Sequence, residues 1–192
     1  MESKINLNYT ELVSQGLDYT SFLNQYATPE QRQRWVRFYE LVTLSETQQE
    51  LLRSFVREMK VLVLAGAWCG DCVNQCPIFA KFAELNPNIK LLFFDRDDHP
   101  DFAGEMSVCG GERVPAVLFL NEDDQPCGRY GDRTISKYRQ MISDMTGAAC
   151  PTGLVAPEEN LIRDVIADWF VEFERNQYIM RTSPRLRKKH GD

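Results

Sequence analysis

Trp68-Cys69-Gly70-Asp71-Cys72 follows the apolar run Lys60-Val61-Leu62-Val63-Leu64-Ala65-Gly66-Ala67 and precedes a segment from Val73 to Leu85 that reads as a helix. The apolar run has the composition and length of a buried strand. Two thiols two residues apart, at the seam between a strand and a helix, are close enough to form a disulfide. They also stand where a helix N-terminus stabilises a thiolate. That placement predicts a chain that exchanges electrons through sulfur.

Downstream, strand and helix patterns alternate. Asp71 to Leu85 is a predicted helix interrupted at Pro77. Ile89 to Asp95 is a second buried strand, Pro100 to Met106 a short helix, and Ala116 to Leu120 a third strand. The turn Asn121-Glu122-Asp123-Asp124-Gln125-Pro126 leads to a short strand, Cys127 to Tyr130, that pairs back as a hairpin. Thr134 to Thr146 is a helix with Ile135, Tyr138, Met141, Ile142 and Met145 on one side. This order implies an α/β fold, a mixed sheet with helices on both faces.

Upstream, residues 1–59 read as helical, with a short helix around Tyr19 to Tyr26. Thr28 caps a helix that begins at Pro29 and turns Trp35, Phe38, Tyr39 and Val42 inward. Ser45 caps the next, with Leu51, Leu52, Phe55, Val56 and Met59 facing the core. At the other end, Cys150-Pro151-Thr152-Gly153 and Ala156-Pro157 form a linker. Glu158 to Met180 is then an amphipathic helix whose face (Leu161, Ile162, Val165, Ile166, Trp169, Phe170, Phe173) covers either the domain or a second copy. The chain thus divides into a helical N-terminal extension (1–45), an α/β domain (46–147), a linker and added helix (148–180) and a basic, disordered tail (181–192).

The 192 residues are 43% hydrophobic and 26% charged, ordinary for a soluble globular protein, and no apolar run nears the roughly 20 residues needed to span a bilayer. Met1-Glu2-Ser3-Lys4-Ile5-Asn6 lacks the pattern of a signal peptide, so the expected location is the cytoplasm. Thiols there are kept reduced, and a Cys-x-x-Cys pair is catalytic more often than structural. The net charge is −6; Arg181, Arg185, Arg187, Lys188 and Lys189 against Asp192 put +4 in the tail and leave −10 for the rest. An acidic body argues against nucleic acid as a partner, and no membrane partner is expected. A basic terminus of this kind is ordinarily solvated.

The motif and its surroundings resemble the thioredoxin family over roughly residues 46–147, about half the chain. Pro77, five residues after the second cysteine, matches the family's helix-kinking proline. Val114-Pro115 opens the next strand where the family has a cis-proline facing the disulfide. The resemblance implies the thioredoxin fold, a three-layer α/β/α arrangement with a mixed central sheet, here with added helices at both ends. It implies a thiol–disulfide oxidoreductase in which Cys69, at the helix start with its sulfur toward solvent, attacks a substrate disulfide and Cys72, one turn deeper, resolves the mixed disulfide. Gly70 lets the backbone turn into the helix, Trp68 shields the thiols and offers a flat apolar surface, and Val114 and Pro115 present backbone to a substrate strand. No bound cofactor is needed. The implied partners are protein disulfides and an electron donor such as a reductase or a low-molecular-weight thiol, with a homodimer through the added helices a further option.

Two positions depart from the family pattern. Val63 stands six residues before Cys69, where thioredoxins commonly bury an aspartate that removes a proton from the resolving thiol. Asp71 replaces the proline common inside the motif, and a carboxylate there opposes thiolate formation. Either Cys69 has a higher pKa than in ordinary thioredoxins or Asp71 takes over proton handling.

Cys76 lies one helical turn after Cys72. With Cys69, Cys72 and Cys109 it would make a four-thiol metal or iron–sulfur set; the plainer reading is a small buried hydrophobe, and no metal site is expected. Cys109, six residues before Pro115, is either an extra thiol or a bystander, while Cys127 and Cys150 pack or lie in loops. His99 and His190 have no motif around them, which leaves a Cys-His hydrolase unsupported. A protein-binding or redox-sensing module on the same fold is the alternative to a reductase.

Overall fold

The computed structural model describes residues 7–146 and 157–192; the predicted linker, with Cys150, lies outside them except for Pro157, which is helical. Four strands, β1 (Met59–Ala65), β2 (Ile89–Asp95), β3 (Ala116–Asn121) and β4 (Pro126–Gly131), form a sheet in the order β2-β1-β3-β4. β1 and β2 are parallel, with Val63 beside Phe93. β3 runs antiparallel to both β1 and β4, with Phe119 opposite Val61. The mixed sheet and the helices around it are those of the expected α/β fold.

Four short helices precede β1: α1 (Tyr9–Gln15), α2 (Tyr19–Tyr26), α3 (Pro29–Leu41) and α4 (Glu46–Arg53). Thr28 and Ser45 each close a capping box, with Gln31 and Gln48 returning the bond to the cap's own N–H. The first backbone donors of α3 and α4 are therefore satisfied where the sequence places them. Val56, predicted to face the core, is 51% exposed. α4 ends at Arg53 with Ser54 as its cap, so the helical face does not continue to Val56, whereas Met59 is buried as a strand residue.

The predicted Asp71–Leu85 helix is two helices, α5 (Gly70–Val73) and α6 (Cys76–Leu85). The break falls at Asn74-Gln75, and Pro77 occupies the first turn of α6, where its missing N–H costs no helical bond. α7 (Pro100–Glu105) follows β2, and α8 (Ile135–Thr146) follows β4. Of the predicted inner side of α8, Ile135, Ile142 and Met145 are exposed, Met145 by 79%. α8 is anchored at its start, where the Ser136 N–H donates to Asp168 at 2.9 Å, and it packs on α9 (Pro157–Thr182).

Phe93 and Phe119 stand on one face of the sheet, because each lies beside a β1 residue of the same parity. That face carries both terminal additions. Tyr19, Phe22 and Trp35 surround Phe93 with ring centroids 5.4–6.5 Å away. Phe173 of α9 meets Phe79, Phe82 and Phe119 at 5.0–5.8 Å. Leu17 pairs with Phe93 as an antiparallel bridge, so the N-terminal segment also covers the outer edge of β2. The opposite face holds Phe94 against Phe102 of α7, 5.4 Å apart. Among the two uses open to the apolar face of α9, the structure shows it covering its own domain: Val165, Ile166, Trp169 and Phe173 are all buried.

The tail is not disordered, as its composition suggested. Ser183 caps α10 (Pro184–His190), and Leu186 is buried. The basic face of α10 meets the acidic β3–β4 turn: Lys189 pairs with Glu122 and Asp123 at 2.6 Å, Arg185 with Asp123, and His190 with Glu122 at 2.7 Å. Charge that reads as a solvated end in the sequence is here matched to a turn 62 to 68 residues away in the chain.

Two outcomes test this architecture. Phe173→Ala should cost about 3–5 kcal/mol of unfolding free energy in urea titration, the range for a buried phenylalanine truncated in a core, since α9 is part of that core. Lys189 and then Arg185 hold the Asp123 carboxyl at about 2, below its ordinary 3.8. A depressed carboxylate stabilises above its unfolded pKa and loses that contribution as pH falls through the folded one. Amide protection in α10 should therefore persist at pH 5 and fall between about pH 4 and pH 2.

Candidate functional site

The central strand β1 delivers the chain to the site. It is hydrogen-bonded on both sides, and beyond its end the Cys69 N–H donates to the Gly66 carbonyl at 3.0 Å. A Cβ at Gly66 would lie 2.7 Å from the Trp68 ring, so only glycine lets that ring fold back over the strand end. Trp68 is 47% exposed, and the Arg96 guanidinium lies 4.7 Å from its ring centroid.

Cys69 is the N-cap of α5, with its carbonyl accepting from Val73 N–H at 3.0 Å. Its thiol donates to the Val114 carbonyl at 3.4 Å, beside the Val114–Pro115 peptide bond, which is cis. Cys72 lies one turn deeper and is fully buried, its sulfur accepting from the Gly66 N–H at 3.5 Å. The two thiols are free, and Cys72 is the neighbour that acts most strongly on Cys69. The structure thus brings Trp68, Cys69, Gly70, Asp71, Cys72, Val114 and Pro115 into one site.

One expectation needs correction. The Cys69 sulfur does not stand open to solvent: the residue keeps 9% of its surface, because the Val114 loop roofs it.

Both thiols are held above the ordinary cysteine value. For Cys69 the main cause is the bond shared with Cys72, followed by burial; the N–H groups of Cys72 and Asp71 work the other way. For Cys72 the main cause is burial. The helix N-terminus therefore acts on Cys69 in the predicted direction but is outweighed.

Asp71 does not act on the thiols as a bare carboxylate. Its side chain pairs with Arg133 at 2.6 Å, and Arg133 also binds Asp132 at 2.7 Å. Asp132 is buried, accepts from the Tyr138 hydroxyl, and has Arg113 at 3.5 Å. Burial alone would raise the Asp132 carboxyl, yet the Tyr138 hydroxyl and the two guanidiniums bring it below its usual value. Two carboxylates and two guanidiniums thus form one network from the motif to the residue preceding Val114. None of Asp132, Arg133 or Arg113 is marked by a sequence motif; only their nearness to Pro115 and the β4 end would have drawn attention to them. Val63, in the usual aspartate position, is buried beside Phe93.

Of the remaining candidates, Cys76 lies close enough to Cys72 to help raise its thiol. Cys76 is fully buried at the start of α6. Cys109 is exposed at φ +52° in the loop closed by the Val108–Gly111 bridge, and Cys127 is half-buried in β4. His99 contacts the Asp95 carbonyl at 3.0 Å. Among the described residues no group of three or more His, Cys, Asp or Glu side chains is arranged to hold a metal ion, and no helix is long and apolar enough to cross a membrane.

Comparison with known proteins follows the same lines. A family model described as thioredoxin matches residues 16–146. A thioredoxin of Borreliella burgdorferi is 30% identical over 81 residues, which cover 42% of this chain and 67% of that protein. The rice (Oryza sativa subsp. japonica) protein Thioredoxin H4-1 is 28% identical over 61 residues, 32% of this chain and 44% of its own length. A Pseudomonas aeruginosa protein of unknown function shares the fold with a TM-score of 0.67 at 23% identity, over 87% of this chain and 98% of that one. An HIV epitope-scaffold does so with a TM-score of 0.64 at 23% identity, over 87% and 99%.

The neutralised Asp71 makes a bounded prediction. Asp71→Asn should speed alkylation of Cys69 at pH 8 by no more than about threefold, because Arg133 already screens the charge it removes. A tenfold acceleration in an iodoacetamide time course would show the carboxylate acting on the thiol directly.

Proposed function

The chain belongs to the thioredoxin family, and from that premise we propose that it is a thiol–disulfide oxidoreductase reducing protein disulfides through Cys69 and Cys72. The observation that carries this reading is the Cys69 thiol at the mouth of α5, against the carbonyl before a cis-proline, with the Cys72 thiol directly behind it.

The steps follow from that geometry. An extended substrate segment lies along Val114-Pro115 and takes over the Val114 carbonyl now bonded to Cys69. Cys69, as thiolate, attacks one substrate sulfur; the substrate S–S bond breaks and a mixed disulfide forms. The Cys72 thiol loses its proton and attacks the Cys69 sulfur, which releases the substrate as a dithiol and leaves a Cys69–Cys72 disulfide. The Gly66 N–H, 3.5 Å from the Cys72 sulfur, stabilises that second nucleophile. An external dithiol or reductase then restores the pair. A reducing compartment such as the cytoplasm suits this cycle.

Both thiols are held above the ordinary cysteine value, so neither gives the reduced form the stabilised thiolate that marks a strong oxidant. The Cys69/Cys72 couple, equilibrated with glutathione, should lie near about −270 mV rather than about −120 mV.

Turbidity from insulin reduction under dithiothreitol tests the reading. The wild-type chain should accelerate it, Cys69→Ser should abolish the acceleration, and the rate should rise from pH 7 to pH 9 because the nucleophile is the minor, deprotonated form. A wild-type rate equal to the dithiothreitol background would leave a thioredoxin-fold binding module in its place.

A further inference from the structure

Two buried tryptophans, one from each terminal addition, donate their indole N–H to the redox segment itself. Trp35 of α3 donates to the Ala67 carbonyl at 3.0 Å, just before Trp68. Trp169 of α9 donates to the Gln75 side-chain carbonyl at 2.9 Å, just after α5. Gln75 is buried in the break between α5 and α6, and its amide NH₂ donates to the Asp71 carbonyl at 3.2 Å and the Asp132 carbonyl at 3.0 Å. One chain of bonds therefore runs from α9 through Gln75 to the motif and to the loop that follows β4. Both indoles are fully buried, so each N–H needs a partner. Many carbonyls would serve; the two used flank Cys69 and Cys72 from opposite sides.

We infer that Trp35 and Trp169, the latter through Gln75, are positioning residues that clamp the Trp68–Asn74 segment and hold the Cys69 thiol against the Val114 carbonyl. The clamp keeps Cys69 roofed and protonated until a substrate strand displaces that contact. It gives the two terminal additions a role at the redox centre beyond filling the core. Releasing either end lets Cys69 leave the Val114 carbonyl and meet water, and both changes favour the thiolate. The inference deepens the oxidoreductase reading and rests on it for its biological use, but its readout is thiol reactivity rather than turnover.

The test uses the full reduced chain and iodoacetamide at pH 7, with each cysteine followed by mass spectrometry. Trp169→Phe keeps an aromatic ring toward Phe79 and Tyr130 while removing the N–H and part of the ring volume; Trp35→Phe does the same at the other end. Each should raise the Cys69 alkylation rate by about fivefold, the scale of one lost buried hydrogen bond. Gln75→Met severs the α9 link from its other side. It should match or exceed Trp169→Phe, and adding Trp169→Phe to it should bring no further change. Cys76, fully buried in the same helical region, reports general loosening and should stay at its wild-type rate. Unchanged Cys69 rates in both tryptophan variants would overturn the inference, as would Cys76 accelerating in step with Cys69. A wild-type chain inert toward insulin would count against the oxidoreductase reading alone.

Discussion

The structure depends on the burial of one strand. β1 is paired along its length with β2 on one side and β3 on the other, and every residue of it except Lys60 is buried. A strand held this way cannot slip by one residue without turning its whole apolar set over. The point where the chain leaves the sheet is thereby fixed at Gly66, and with it Cys69, the N-cap of α5, three residues later. β3 is registered against the same strand and begins right after Pro115, so the carbonyl facing Cys69 is positioned by the same ladder. The two halves of the site, far apart in sequence, are brought together by hydrogen bonds to a common neighbour.

Electrostatics at the site is settled by magnitude rather than by the presence of any one group. The backbone N–H groups of a helix N-terminus, burial and a second thiol all act on Cys69. The Cys72 thiol and then burial win, because together they hold the Cys69 proton more strongly than a four-residue helix favours the thiolate. Asp71, which looks disruptive inside the motif, is paired with Arg133 from the loop that follows β4. The motif tolerates an acid because the fold supplies a base.

Much of this was legible in the chain itself. The strand–motif–helix order, the caps at Thr28 and Ser45, the hairpin after Asn121 and the pairing of Cys69 with Cys72 all rest on local signals: period, capping chemistry and spacing. Local signals misled where tertiary context decides. Val56 was placed inward by helical period although α4 ends three residues earlier. The α8 face of Ile135, Ile142 and Met145 has the same period but lies largely in solvent. The basic tail was read from charge alone, whereas Ser183-Pro184 and Leu186 were a cap and an anchor.

Sequence alone determined the fold class and the identity of the sulfur pair, since apolar runs, a thiol spacing and two prolines are properties of contiguous residues. Tertiary structure decided how the pair is housed: the roof of Val114 over Cys69, the Asp71–Arg133–Asp132 network and the indole contacts of Trp35 and Trp169. These join residues 30 to 95 positions apart. Partners that distant are chosen by packing against a common core, and no period or spacing in a single chain records which buried donor will meet which buried acceptor.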